Sequence, residues 1–535
     1  MTNDPNTDEK TRNHELCPKP PTVFVRQATG LVREFNMWDA FYFNIALVGF
    51  LFVMMYSGFE GPLLGGDPIL GLVFPLVFFL LLAYVFRYVA VKTPRTAADY
   101  VFVTRNLSPA WGFAANAGYF VGLVALSIGV TGIVSLAPIG WLPVLQIFGF
   151  YTNNAKLISQ SFAFFSNGYY VFLLGLVQVV VMGFIPIFGT RVYKWLQGTI
   201  IVLQLAVSAL LIIVAAAIPH SIAVARLNHF GNLYGVPNLY DNITSSNIAV
   251  PSYHDPYNTL AWNAIYVFGF IFIISPVYIA GEIKNIKKSS SFSIYAALLV
   301  MALFMSLSAY FEYAQWGYSF ASKAASLSLS GALPIPTPYL DILEAVAVGN
   351  IWLGLLFPLV FVIQALLFIA AAVVLGSRLL LSYSLDRILP NFVADINEKY
   401  HSPIKAIVIT IIAGLIGLVV FALPSSSSYA FLLDADVVAM VCIFPALVVC
   451  VAVLKTAWAG KEKLAIMAAA AGIPYLAYTV YQYLTIPVLG AATTLGYYLL
   501  LGSILVIFAI YYVAKEIRKR QGISFEQIFK EIPPE

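Results

Sequence analysis

The chain has 535 residues, of which 61% are hydrophobic and only 10% charged, with a formal charge of +4. An ordinary soluble domain is about 25% charged, so this composition excludes a water-soluble enzyme and points to a lipid environment. The small positive charge is accounted for by the loops and requires no nucleic-acid partner.

Residues 1–35 form a polar, proline-containing tail without a short apolar core and small-residue cleavage site, so no removable signal peptide is expected. Beyond it, apolar stretches of about 20 residues recur, each long enough to cross a hydrocarbon core of about 30 Å as a helix. The predicted spans are 38–60, 69–91, 111–137, 168–188, 196–218, 260–281, 291–313, 347–380, 404–424, 428–454, 462–485 and 492–514. The expected fold is therefore an all-α integral membrane protein of twelve transmembrane helices. Long loops at 138–167, 219–259 and 314–346 fall on one side, and Asn242-Ile-Thr is a glycosylation triplet there. Residues 515–535 read as a solvated cytosolic tail.

Of the 29 lysines and arginines, 26 fall on the side of both termini; only Lys156, Arg226 and Lys323 fall on the other. The positive-inside rule then places both termini in the cytoplasm of a multi-pass cell-membrane protein. Cys442 and Cys450 lie eight apart in span 10 without companion ligands and read as small apolar residues. All five histidines (His14, His220, His229, His254, His401) fall in tails or loops. No metal pair, nucleophile with its base, or catalytic acid pair assembles, so neither an enzyme nor a cofactor is expected.

"MWDAFYFNIALVGFLFV" from Met37 and "AWNAIYVFGFIFIISPV" from Ala261 align at a constant offset of 224, with Trp38 over Trp262 and Tyr42 over Tyr266. Five spans separate the two starts, an odd number, so equivalent helices would run in opposite directions. Such inverted repeats underlie many secondary transporters. Ser275-Pro276 interrupts the second segment; its proline removes one backbone hydrogen bond and clashes with the carbonyl near Phe272. The alignment sets Gly49 opposite Ile273, giving span 1 a weak point at the matching depth. Two discontinuous helices meeting at the midplane would offer bare peptide groups to the charged ends of a small solute.

Four motifs resemble the amino acid–polyamine–organocation transporters. They are "REFNMWDAFYFNIALVG" leading into span 1, "PRTAADYVFVTRNLSPAWGF" (residues 94–113), "AGEIKN" at the end of span 6, and "GSRLLLSYSLDRILPNFVADINEKYHSPIKAI" from Gly376. The resemblance implies a LeuT-like core of two inverted five-helix repeats, residues 36–218 and 260–455, joined by the 219–259 loop and followed by two further helices within 456–514. It also implies a permease or exchanger that works by alternating access. The implied substrate region is Ala46, Leu47, Val48, Gly49 and Phe50 of span 1, facing Phe270, Ile271, Phe272, Ile273, Ile274 and Ser275 of span 6.

Departures from the family pattern narrow the solute and the coupling. "ALVGFLFV" keeps one glycine where G-S-G is usual, and Phe272-Ile273-Ile274 stands where many members carry G-F-D or G-F-E. Without that carboxylate, a basic amino acid or polyamine fits less well than a neutral or apolar zwitterion. Gln204 aligns with a lysine that substitutes for sodium in some members, and an amide cannot change charge with pH. Residues 362–376 of span 8 carry no hydroxyl for a sodium ion. Exchange, uniport or a proton path through other groups remain open. The gating or coupling candidates are Gln204, Glu282, Lys284, Arg95, Gln364, Asp434 and Asp436, with an ion pair expected at Glu282 and Lys284 and Arg95 as a possible gate partner. Glu312 closes span 7 as an interface residue. The competing readings are a transporter-shaped solute sensor, or the same fold carrying another organic solute such as a polyamine or nucleobase. Direct metal transport is disfavoured because the breaks lack acidic or thiol ligands.

Overall fold

A computed structural model describes residues 30–137, 139–422, 429–489 and 494–533. Among the described residues, twelve helices are long and apolar enough to cross a membrane: span 1 Met37–Leu64, span 2 Pro68–Lys92, span 3 Pro109–Val134, span 4 Gly168–Phe188, span 5 Thr190–Ala217 and span 6 Pro256–Val277. Spans 7 to 12 are Ile286–Trp316, Ile351–Leu385, Ile404–Ala422, Val438–Ala459, Lys463–Thr485 and Leu500–Arg520. The all-helical, twelve-span expectation therefore holds, with spans 7 and 8 running several residues past their predicted ends.

Local chemistry sets the starts. Asn36 and Asp39 close a reciprocal capping box before span 1, and Asp67 caps span 2 ahead of Pro68. Asp255 with Pro256, and Asn350, do the same for spans 6 and 8. Burial then sorts the spans: in an 18-residue apolar stretch of each, 89% of span 1 and 94% of span 6 is buried, against 17% of span 12 and 28% of span 4. Spans 1 and 6 thus form the centre, while span 4 and span 12 present apolar side chains outward, where lipid would meet them.

The long loops are more ordered than their polar sequence suggested. They contain helices Trp141–Tyr151, Ala155–Phe165, His220–Asn232, Leu239–Thr244, Tyr318–Leu329 and Leu340–Ala347. A further helix, Ala98–Asn106, lies between spans 2 and 3. Glu312, in span 7, is buried against span 1, where a Cβ on Gly58 would lie 2.1 Å from its Oε2. The residues after span 12 do not form a solvated tail. Phe525, Ile528 and Phe529 are buried, Arg105 Nε donates to Glu531 O at 3.1 Å, and the Arg105 guanidinium lies 5.0 Å above the Phe529 ring. Phe525 and, one helical turn on, Ile528 and Phe529 share a buried face that outweighs the charges around them.

The face bearing both ends of the described chain carries two buried ion pairs. Arg378 of span 8 grips Glu282 through Nε and Nη2 at 2.9 and 3.1 Å, and Arg105 grips Asp386 at 2.6 and 2.7 Å. Tyr100 Oη adds a third bond to Asp386 at 2.6 Å. Replacing Arg378 with Met leaves Glu282 a buried, uncompensated charge, a loss of about 3–5 kcal/mol. Thermal unfolding in detergent should show a large fall for Arg378→Met and recovery of most of it in the Arg378→Met/Glu282→Leu double variant.

Candidate functional site

Span 1 loses its winding at Gly49, which has φ +66° and serves both as the C-cap of Met37–Val48 and as the N-cap of Phe50–Leu64. The left-handed conformation is one that only glycine adopts at little cost. Span 6 leaves the α-helix after Phe270, six residues before Pro276, and continues through turns and short 3-10 segments, Ser275–Val277 and Ala280–Glu282. Proline alone does not explain this. Pro62, Pro75, Pro358, Pro445 and Pro474 all sit inside helices that continue past them. What differs at Pro276 is the "IFIIS" run before it, poor in strong helix formers, and the alternative partners available to its carbonyls.

Those partners are specific. Ser275 supplies both its N–H and its Oγ to Phe272 O, at 3.2 and 2.6 Å. Asn44 of span 1 donates Nδ2 to Ile273 O at 2.7 Å and to Ser293 O of span 7 at 3.2 Å. The last part of span 6 pairs with the chain before span 1: Phe35 N–H donates to Glu282 O at 3.0 Å, and Lys284 N–H donates to Phe35 O at 2.8 Å.

The two interruptions border one cavity of about 60 Å³. Val48, Gly49 and Phe52 of span 1 and Phe268 and Phe272 of span 6 form one side. Ser127, Val130, Thr131 and Val134 of span 3, Phe361, Gln364, Ala365 and Phe368 of span 8, and Val438 of span 10 form the other. Span 3 passes the cavity just after a π-helical segment, Phe120–Leu126, where Ser127 Oγ donates to Gly122 O at 3.0 Å. Such π-turns are frequent at functional sites. Five phenylalanines make the wall apolar. Ser127, Thr131 and Gln364 are its polar residues; Gln364 Nε2 lies 3.5 Å from where a Cβ on Gly49 would stand, and its buried Oε1 meets no donor among the described residues.

Of the expected substrate residues, Val48, Gly49 and Phe272 line the cavity. Ala46, Leu47, Phe50, Phe270, Ile271, Ile273, Ile274 and Ser275 are buried around it without lining it. Phe270 instead packs on Phe79 of span 2, ring centres 5.3 Å apart. Gln204 is fully buried in span 5, away from the cavity lining, with neither amide atom bonded among the described residues. Glu282 pairs with neither Lys284 nor Arg95. Lys284 is exposed, Arg95 Nε donates to Pro533 O at 3.2 Å, and the buried carboxylate takes the guanidinium fork of Arg378. Asp434 and Asp436 lie on helix Tyr429–Ala459, with side chains outside the described residues.

Sequence reasoning missed Asn44 and, Gln364 apart, the particular residues with which spans 3, 8 and 10 wall the cavity. A lone Asn in "AFYFNIALVG" was a usable signal, because a polar amide within a span needs a partner. Replacing Asn44 with Leu removes the donor to Ile273 O and should cost about 1–3 kcal/mol, measured as reduced thermal stability of the purified protein in detergent.

Comparison with known proteins agrees with this architecture. The chain is similar to Uncharacterized protein 399 of Sulfolobus islandicus rod-shaped virus 1, with 23% identity over 286 residues, which are 53% of this chain and 58% of that protein. A family model described as amino acid permease matches residues 40–528. That match takes in all twelve spans, and the chain accordingly belongs to the amino acid permease family, a family of membrane transporters rather than of enzymes.

Proposed function

We propose that this permease moves neutral, apolar amino acids across the cell membrane by alternating access, binding them between the interrupted parts of spans 1 and 6. In this reading spans 1–5 and 6–10 are the two inverted repeats, spans 11 and 12 lie outside them, and both termini are cytosolic. The reading is carried by one observation: both helix interruptions border a single cavity with a mainly apolar, phenylalanine-rich wall, into which one amide brings an unused acceptor.

The chemistry follows from that wall. An ammonium group needs an acceptor in a place without water, and Gln364 Oε1 supplies one beside Gly49. Helix Phe50–Leu64 starts at Gly49, so its first N–H groups and the positive end of its dipole are available to a carboxylate. The phenylalanines then accept an apolar side chain, and no acid in the cavity wall attracts a second positive charge. The volume suits a small occupant in this closed arrangement, with larger side chains admitted as the phenylalanine rings reorient.

A thermal-shift screen of purified protein against the twenty amino acids should show stabilisation by leucine, valine, alanine or phenylalanine and none by arginine or lysine; stabilisation by the basic amino acids alone would reject the reading. Gly49→Leu forces a branched side chain into a left-handed backbone position and into Gln364, so binding should be lost. Gln364→Leu should weaken binding by about tenfold or more, as expected when a bound polar group loses a buried partner. Gln204→Ala should leave any ion dependence of uptake into proteoliposomes unchanged.

A further inference from the structure

A second buried constellation lies beside the unwound part of span 6, towards the termini-bearing face. The turn before helix Ala98–Asn106 docks on that segment: Ala97, with φ +52°, donates its N–H to Tyr278 O at 2.9 Å, and Thr96 Oγ1 lies 2.8 Å from where a Cβ on Gly281 would stand. Asp99, the next residue but one, is 1% exposed. Its Oδ2 accepts from Asn116 Nδ2 at 2.7 Å, and Asn116 Oδ1 accepts from Tyr383 Oη at 2.5 Å. Asp99 Oδ1 and Tyr278 Oη are both buried, and neither has a hydrogen-bond partner among the described residues.

A row of groups leads from the cavity towards this carboxyl, hydrogen-bonded as far as Tyr119 and joined to Tyr278 by ring stacking. Phe272 lines the cavity, and its carbonyl accepts from Ser275 Oγ. Ser275 Oγ lies 3.3 Å from Tyr119 Oη, and the Tyr119 ring stacks on Tyr278 with centres 4.5 Å apart. Tyr278 neighbours Asp99. The groups facing Asp99 are thus Asn116 and Tyr119 of span 3, Tyr278 of span 6 and Tyr383 of span 8, with Cys442 of span 10 beside the two stacked tyrosines. The arginines of neighbouring elements are engaged elsewhere: Arg105 with Asp386, Arg378 with Glu282, and Arg95 with the C-terminal segment.

We infer that Asp99 is a proton-binding site that couples transport to a proton gradient, reached from the cavity along Ser275, Tyr119 and Tyr278. The inference rests on the transport reading above and supplies the coupling ion that Gln204 and span 8 do not. The step is balanced by a single proton: it is taken up on Oδ1 while the cavity faces one side and released to water when the 95–107 segment parts from span 6 on the other. Tyr278 Oη can accept from a protonated Oδ1 or donate to an ionised one, so that contact is open to both states; what ionisation adds is a charge buried against the unwound segment with no cation beside it. Protonation therefore favours the docked arrangement. Burial pushes the Asp99 carboxyl up to about 6, opposed by Asn116, by backbone N–H groups and by Tyr278. Because this is above the usual carboxylate value, the folded protein holds the proton in a range where the unfolded chain has released it. Its stabilising effect is full in acid and is lost as pH rises through about 6.

The test uses full-length protein in proteoliposomes with L-leucine as the probe. Uptake by the wild type should be at least about tenfold faster at an external pH of about 5.5 than at about 8, and a pH gradient should drive accumulation. Asp99→Asn should bring that ratio to within about twofold and abolish gradient-driven accumulation, while Asp99→Glu should restore pH dependence with a displaced midpoint. Leucine uptake by the wild type without pH dependence, or an unchanged profile in Asp99→Asn, would overturn the inference while leaving the transport reading standing. If no amino acid is carried at all, the transport reading fails, and the proton site is then read directly by infrared difference spectroscopy. A carboxylic-acid band that titrates near pH 6 and is missing in Asp99→Asn supports the site; the same band persisting in Asp99→Asn overturns it.

Discussion

In a bilayer, every peptide group that leaves a helix must find a partner within the protein, because the hydrocarbon offers none. The centre of this permease is arranged around that constraint. Span 1 is broken by one left-handed glycine, a change confined to a single residue, whereas the chain after Phe270 leaves the α-helix until Ile286 and needs other partners for its carbonyls. Asn44, Ser275 and the backbone before span 1 supply them, at Ile273 O, Phe272 O and Glu282 O respectively. The non-helical segment is thereby tied to span 1 at two depths, one beside the cavity and one at the termini-bearing face. The chemistry that makes the break tolerable also couples the two elements that border the cavity.

The same face carries buried charge. Arg378 with Glu282 and Arg105 with Asp386 are both almost completely buried, and each is bidentate, the geometry in which an arginine best offsets its loss of water. Such pairs add little net stability, but removing either partner is costly, so in the transport reading proposed above they would act as latches between definite positions. Glu282 lies just past span 6 and Asp386 just past span 8, so in that reading opening this face would part at least one guanidinium from its carboxylate. The C-terminal segment leans on one of these latches: Arg105 holds Asp386 while also contacting Phe529 and Glu531 O. That places the end of the chain on the element that docks against unwound span 6.

Much of the fold was legible in the sequence because lipid imposes long, uniformly apolar helices, and the two breaks were legible because glycine and Ser-Pro are strong local signals. Their extent was not. A kink at Pro276 was the natural expectation, yet the helix ends at Phe270, since the outcome depends on whether Asn44, 229 residues away in sequence, reaches Ile273 O. The cavity walls were hidden for a related reason. Spans 3, 8 and 10 are apolar on nearly all sides, so nothing in their pattern separates Phe361 and Phe368, which line the cavity, from residues that meet lipid. Glu282 and Lys284 looked like a pair because they are close in sequence; Arg378, 96 residues on, had the fork that a buried carboxylate requires. The loop helices and the packed C-terminal segment were missed because short amphipathic runs among polar residues resemble solvated loops.

The central claim is that the solute sits where the two interrupted spans meet. Photo-crosslinking tests it most directly: purified protein is irradiated with a diazirine analogue of leucine and the adducts are mapped by mass spectrometry. Adducts should concentrate on Val48, Phe52, Phe272, Gln364 and Phe368 and be suppressed by excess L-leucine. Adducts confined to the loops or to the outward faces of spans 4 and 12, unaffected by competing leucine, would contradict it.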